Sequence, residues 1–110
     1  MQKSDLEKAT DEYIAAMQKS EVYLNYCAIK ETVKQDEELW KKLQEYRKRR
    51  YEFQMMTNPE ELFDRVDAFE REYSEWKKDS RVTAFLDAEL AFCRMIQEAN
   101  MRVVEAMQFE

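Results

Sequence analysis

Apolar residues recur along this chain at intervals of three and four, the spacing that gathers side chains on one side of an α-helix. Five segments carry such a stripe. The first opens on Ser4-Asp5-Leu6-Glu7, a capping box in which Ser4 can accept from the Glu7 backbone N–H while the Glu7 side chain reaches back. Leu6, Ala9, Tyr13, Ala16 and Met17 follow it. Ser20-Glu21 pairs an N-cap residue with an acid in the first turn and starts a second stripe of Val22, Tyr26, Ile29 and Val33. Asp36-Glu37-Glu38 starts a third, formed by Leu39, Leu43, Tyr46, Arg50 and Phe53. No glycine or proline separates these three, so they read equally as three helices or as one helix with bends.

The firm break is Met56-Thr57-Asn58-Pro59-Glu60-Glu61. Asn58 suits an N-cap, Pro59 the first helical position, and the two glutamates the positive end of the helix dipole. Leu62, Val66, Phe69, Tyr73 and Trp76 form the fourth stripe, and Lys77 and Lys78 suit its negative end. Asp79-Ser80 then caps a last helix whose stripe is Leu86, Glu89, Cys93, Ile96, Asn100, Val103 and Met107, preceded by Val82. Running from about residue 80 to about residue 108, that helix is roughly 40 Å long. A small compact bundle needs less, so part of it is expected to pack on another chain.

Composition narrows the fold to one class. With 0 glycines and a single proline among 110 residues, the tight positive-φ turns of β-hairpins have no residues to make them. The expected fold is all-α: an elongated bundle of about five helices with a long C-terminal helix, forming one domain over residues 1–110. Charged residues make up 38 %, but 45 % apolar residues set in helical register argue for packing over disorder. A net charge of −6 repels phosphate backbones, so nucleic acid is disfavoured as a partner. No apolar run is long enough to span a bilayer, and the opening MQKSDLEKATDEY is polar and acidic rather than a signal segment. The expected location is the cytoplasm, with Cys27 and Cys93 as reduced thiols.

Candidate chemistry is sparse. Without histidine there is no histidine-based triad, no two-His zinc motif and no Glu-x-x-His di-iron motif. Without glycine there is no phosphate-cradling loop, and two isolated cysteines cannot make a four-thiolate site. Carboxylates crowd residues 60–72 but alternate with Arg65 and Arg71, which reads as a solvated, salt-laced face. No catalytic residue, metal or cofactor is expected, and the chain is not expected to be an enzyme.

What stands out are residues that interrupt the stripes. Glu89 lies between Leu86 and Cys93, and Arg50 between Tyr46 and Phe53; a buried charge is costly unless paired. If the third, fourth and fifth helices run up-down-up, Glu89 lies level with residues 45–47, so Arg47 or Arg50 is its expected partner. The alternative is a rotated stripe with Glu89 at the rim. Asn100 can fix the register of a helical seam or sit at a wet edge. Arg47, Lys48, Arg49 and Arg50, with Lys41 and Lys42 upstream, form the only basic cluster, interleaved with Tyr46, Tyr51 and Phe53. It reads as solvated surface, as a contact for an acidic protein or as an RNA patch, in falling order. Cys27 and Cys93 read as small thiols on buried stripes. Methionines such as Met55, Met56, Met95, Met101 and Met107 suit core filling or a surface that repacks, and Phe109 at the tip favours an intermolecular contact.

Several of these segments, taken in order, resemble a known family. Leu6 through Met17, Lys19-Ser20-Glu21-Val22-Tyr23, Val33-Lys34-Gln35-Asp36-Glu37-Glu38-Leu39, Val82 through Leu90 and Ile96-Gln97-Glu98-Ala99-Asn100 are similar to the pattern of the YlbF/YmcA/YheA family. The resemblance implies a small, self-associating, cytoplasmic helical protein of Firmicutes. It also implies a non-catalytic regulatory role in competence, sporulation or biofilm formation, within complexes tied to RNA processing by RNase Y. Some complexes of that family carry iron–sulfur clusters, and the members linked to them carry further cysteines towards the C-terminus, which this chain lacks. The expected partners are further copies of the chain, as a dimer or higher, with other helical regulatory proteins as a further class. The alternative is an accessory module that binds RNA or an RNA-processing complex through residues 41–50.

Overall fold

A computed structural model describes residues 2–55 and 58–108. Among the described residues five α-helices follow one another: α1 (Asp5–Gln18), α2 (Glu21–Lys34), α3 (Glu37–Gln54), α4 (Pro59–Tyr73) and α5 (Ser80–Ala106), with a 3-10 turn at Trp76–Lys78 between the last two. Met56 and Thr57 of the expected break, and Phe109 at the tip, lie outside the described residues.

Side-chain caps decide where the helices start. Ser4 accepts from the Glu7 N–H, Ser20 from Tyr23, Asp36 from Leu39, Asn58 from Glu60 and Glu61, and Asp79 from Arg81. Ser20 and Asp36 have extended backbone at those points. Each cap satisfies an N–H that the preceding helix would otherwise have bonded, so two-residue joints suffice to separate α1, α2 and α3 without glycine or proline. The fourth stripe continues past its helix: α4 stops at Tyr73, and Trp76 reaches the interior from the 3-10 turn.

The core has two parts that meet at Trp76 and Leu86. Val33 of α2, Leu39 and Leu43 of α3, and Val82 and Phe85 of α5 make the first. Tyr46 of α3 with Phe69 and Tyr73 of α4 makes the second. There Tyr46 stacks on Phe69 at 5.0 Å between ring centroids and meets Tyr73 edge-on at 5.1 Å, arrangements that suit the ring quadrupoles. α2 runs antiparallel to α5, with Val33 level with Val82 and the Tyr23 ring tilted against Phe92 at 5.3 Å between centroids.

α5 is rotated from the face its stripe suggests. It lies between α2 and α3 and buries Val82, Phe85, Ala88 and Glu89. Phe92, not Cys93, continues that face, packing on Tyr26 at 5.3 Å. Cys93 was expected as a buried thiol; it is exposed, because a helix held on two sides buries a wider arc centred nearer Phe85. Cys27 is half-buried.

The molecule is elongated. Its radius of gyration is 18.0 Å, with extents of 50 × 39 × 25 Å. A compact chain of this length would have about 13 Å. α1 accounts for part of the excess: it packs on α2 yet buries none of its residues, and Leu6 is 77 % exposed. The far end of α5 is similar, with Met101, Val103, Val104 and Met107 all exposed. Among the described residues no helix is long and apolar enough to cross a membrane.

Candidate interaction interface

Glu89 is the one buried charged residue among those described, 8 % exposed on α5. Arg50 Nη2 of α3 donates to its Oε1 at 2.9 Å, and Arg47 Nε lies 2.8 Å from its Oε2. Both expected partners are therefore present. α3 and α5 run the same way with α4 returning between them, and one turn of α3 presents Arg47 and Arg50 together. The Arg47 contact is an ion pair without hydrogen-bond alignment, so Oε2 is buried with no aligned donor. The guanidinium groups also lie over rings, Arg47 over Phe85 at 5.6 Å and Arg50 over Tyr46 at 5.5 Å. Such a group contributes little net stability against an apolar alternative, whereas loss of one partner leaves the other charge uncompensated.

The basic cluster does not form a single surface. Arg49 turns the other way, onto α4, donating to Glu72 at 2.9 Å and to the Tyr73 hydroxyl at 3.3 Å. Those bonds, Tyr73 first, hold its pKa above the ordinary arginine value. Lys42 lies over the Tyr73 and Trp76 rings at 5.8 and 5.7 Å. Lys41 and Lys48 are exposed and make no ion pair among the described residues. Arg47, Lys48 and Arg50 share a cleft of about 540 Å³ with Tyr26, Tyr51 and Phe92, and Glu89 lines its buried side. Burial raises the Tyr26 hydroxyl's pKa; the Arg47 charge opposes this and the Glu89 charge adds to it.

The expected α5 stripe divides in two. Leu86 and Glu89 are used within the chain, Leu86 against both parts of the core. Ile96 is half-buried, while Cys93, Asn100, Val103 and Met107 face outward. Asn100 is thus at a wet edge of the single chain.

Two features escaped the stripe pattern. Arg81, at the start of α5, bonds Asp36 at 3.0 Å and Asp79 at 2.8 Å, joining the N-cap residues of α3 and α5. The Leu39 N–H, then Arg81, lowers the Asp36 pKa, while Asp79 is lowered by Arg81 first. Phe63 is the other: it follows the inward-facing Leu62 and is 74 % exposed on the outer face of α4. Capping residues hinted at the first; only the helical phase of Leu62, Val66 and Phe69 could have revealed the second.

Among the described residues no three His, Cys, Asp or Glu side chains gather as a metal site. No curated protein and no solved structure matches the chain. A family described as "Control of competence regulator ComK, YlbF/YmcA" matches residues 6–108, nearly the whole length and every helix just described. The chain belongs to the YlbF/YmcA family.

Proposed function

We propose that this protein is a non-catalytic, competence-regulator-like adaptor that works by self-association, using apolar helix faces its own fold leaves open. The carrying observation is that α1 buries no residue while the far third of α5 exposes Met101, Val103 and Val104, and Met107 just beyond it is exposed too. Apolar surface of that kind gains free energy when removed from water, at about 25 cal/mol per Å². A second copy supplies the same kind of surface, and a two-fold contact lets one patch serve both chains. Family membership supports a regulatory role over an enzymatic one. The fixed Glu89–Arg47–Arg50 group would present the helices at one register to the partner.

An RNA-contacting role for residues 41–50 has less support. Arg47, Arg49 and Arg50 are already paired with Glu89 and Glu72, on different sides of α3. Sedimentation equilibrium tests the main reading: a dimer or larger species at about 100 μM supports it, and a strict monomer sinks it. RNA retained at about 200 mM salt would reverse the ranking of the two readings.

A further inference from the structure

The cleft between α2, α3 and α5 carries the charge opposite to the chain as a whole. Arg47, Lys48 and Arg50 face one carboxylate, Glu89, in a protein of net charge −6. Lys48 has no ion pair among the described residues, and Tyr51 is an exposed ring at the same place. At about 540 Å³ the cleft has the size of a side-chain or small-ligand pocket.

The outer face of α4 is its complement. Phe63 stands out from that helix between Glu60 and Asp64. Neighbouring carboxylates are taken: Glu61 pairs with Arg65 at 2.6 Å and Asp67 with Arg71 at 2.8 Å. Glu60 and Asp64 make no ion pair among the described residues. The apolar ring and the two unpaired carboxylates therefore project together. The chain's own Phe63 does not line its cleft, which opens between α3 and the α2–α5 pair, whereas α4 packs on α3 through Tyr46 and Arg49.

We propose that Phe63 of one copy, with Glu60 and Asp64 beside it, seats in the Arg47–Lys48–Arg50 cleft of a second copy. A ring placed there meets guanidinium groups and the Tyr51 and Phe92 faces, which favours cation–π and aromatic contact. The two carboxylates come within reach of Lys48 and of N–H groups on Arg47 and Arg50 beyond those aimed at Glu89. The proposal rests on the self-association reading above and names a contact for it that is separate from the α1 and α5 faces.

The test uses two full-length variants, Phe63→Ala and the double change Lys48→Glu with Tyr51→Ser. All three positions are exposed, and Arg47, Arg50 and Glu89 stay intact, so unchanged far-UV circular dichroism is expected for both. Sedimentation equilibrium should show association weakened about tenfold in each variant alone. An equimolar mixture should recover association, because one variant keeps the cleft and the other keeps the ring. Unchanged association in both variants, or no recovery on mixing, overturns the contact while leaving self-association standing. A parent chain that is itself monomeric removes self-association as a whole, and this contact with it.

Discussion

Arg50 Nη2 donates to Glu89 Oε1 at 2.9 Å, tying the middle of α3 to the middle of α5. Glu89 is nearly buried, whereas the Arg50 side chain is 42 % exposed and keeps contact with water. The two ends of the bond therefore differ in what their loss costs. Removing Arg50 strands a carboxylate that Arg47 still faces; removing Glu89 empties a buried site and leaves two guanidinium groups without their acceptor. Glu89→Ala should destabilise the fold by about 2–3 kcal/mol and Arg50→Ala by about 1 kcal/mol. Urea denaturation followed by circular dichroism measures both, and a Glu89→Ala change within about 0.5 kcal/mol would remove the pairing argument.

The core and the α1 arm should respond differently to truncation. Phe85 and Tyr46 are fully enclosed, and Phe85→Ala should cost about 3–5 kcal/mol through lost burial and the cavity left behind. Leu6→Ala, on a side chain that touches mostly water, should stay within about 0.5 kcal/mol in the single chain. Any larger effect of Leu6→Ala that grows with protein concentration would locate α1 in an intermolecular contact.

Acid should loosen the clasp at the starts of α3 and α5. Asp36 and Asp79 are both held below their ordinary value of 3.8 by the N–H groups they cap and by Arg81. A lowered folded-state pKa means that the stabilisation is present above the ordinary value and is lost as pH falls through the folded one. The expected outcome is a loss of stability below about pH 4 that is smaller in the Asp36→Asn, Asp79→Asn double variant. Denaturation midpoints at pH 6 and at about pH 3 compare the two chains; equal acid sensitivity would argue against the clasp.

The two thiols should differ in reactivity with a disulfide reagent. Cys93 is exposed and Cys27 half-buried, so Cys93 should be modified first in dilute protein. The Cys27→Ser and Cys93→Ser variants assign the two rates. Slowing of the Cys93 rate as concentration rises would place that side of α5 in the assembly.

The outward stripe can be tested apart from the fold. Val103→Asp with Met107→Lys should reduce association about tenfold while leaving the thermal midpoint at low concentration within about 2 °C. Light scattering across a dilution series reads the first quantity and calorimetry the second.

Helix starts were legible in the sequence because a cap is a local device: Ser4, Ser20, Asp36, Asn58 and Asp79 each bond an N–H two or three residues away. The Glu89–arginine contact was legible too, since an up-down-up order fixes which turns lie level. The phase of α5 was not. A stripe counted at alternating fours and threes selects Leu86 and Cys93, but contact with both α2 and α3 buries Phe85 and Ala88 and leaves Phe92 half-buried against Tyr26. That depends on two neighbours at once, which periodicity along one helix does not contain. The pairing of Arg49 with α4 was hidden for a related reason: four adjacent basic residues spread around the helix, and only the position of α4 decides which one it meets.

The uncommitted state of α1 has a consequence for the life of the protein in a cell. A helix of 14 residues is near the shortest that water supports unaided, and this one has no buried side chain to hold it closed. In a lone chain α1 should fray often, on a free-energy scale far below that of global unfolding. Proteases cut where backbone opens, so a lone copy offers a cleavage site in α1 that the self-associated form proposed above would withhold if it covers this helix. The amount of intact chain would then follow the supply of partner, which turns one bare helix into a gauge of assembly.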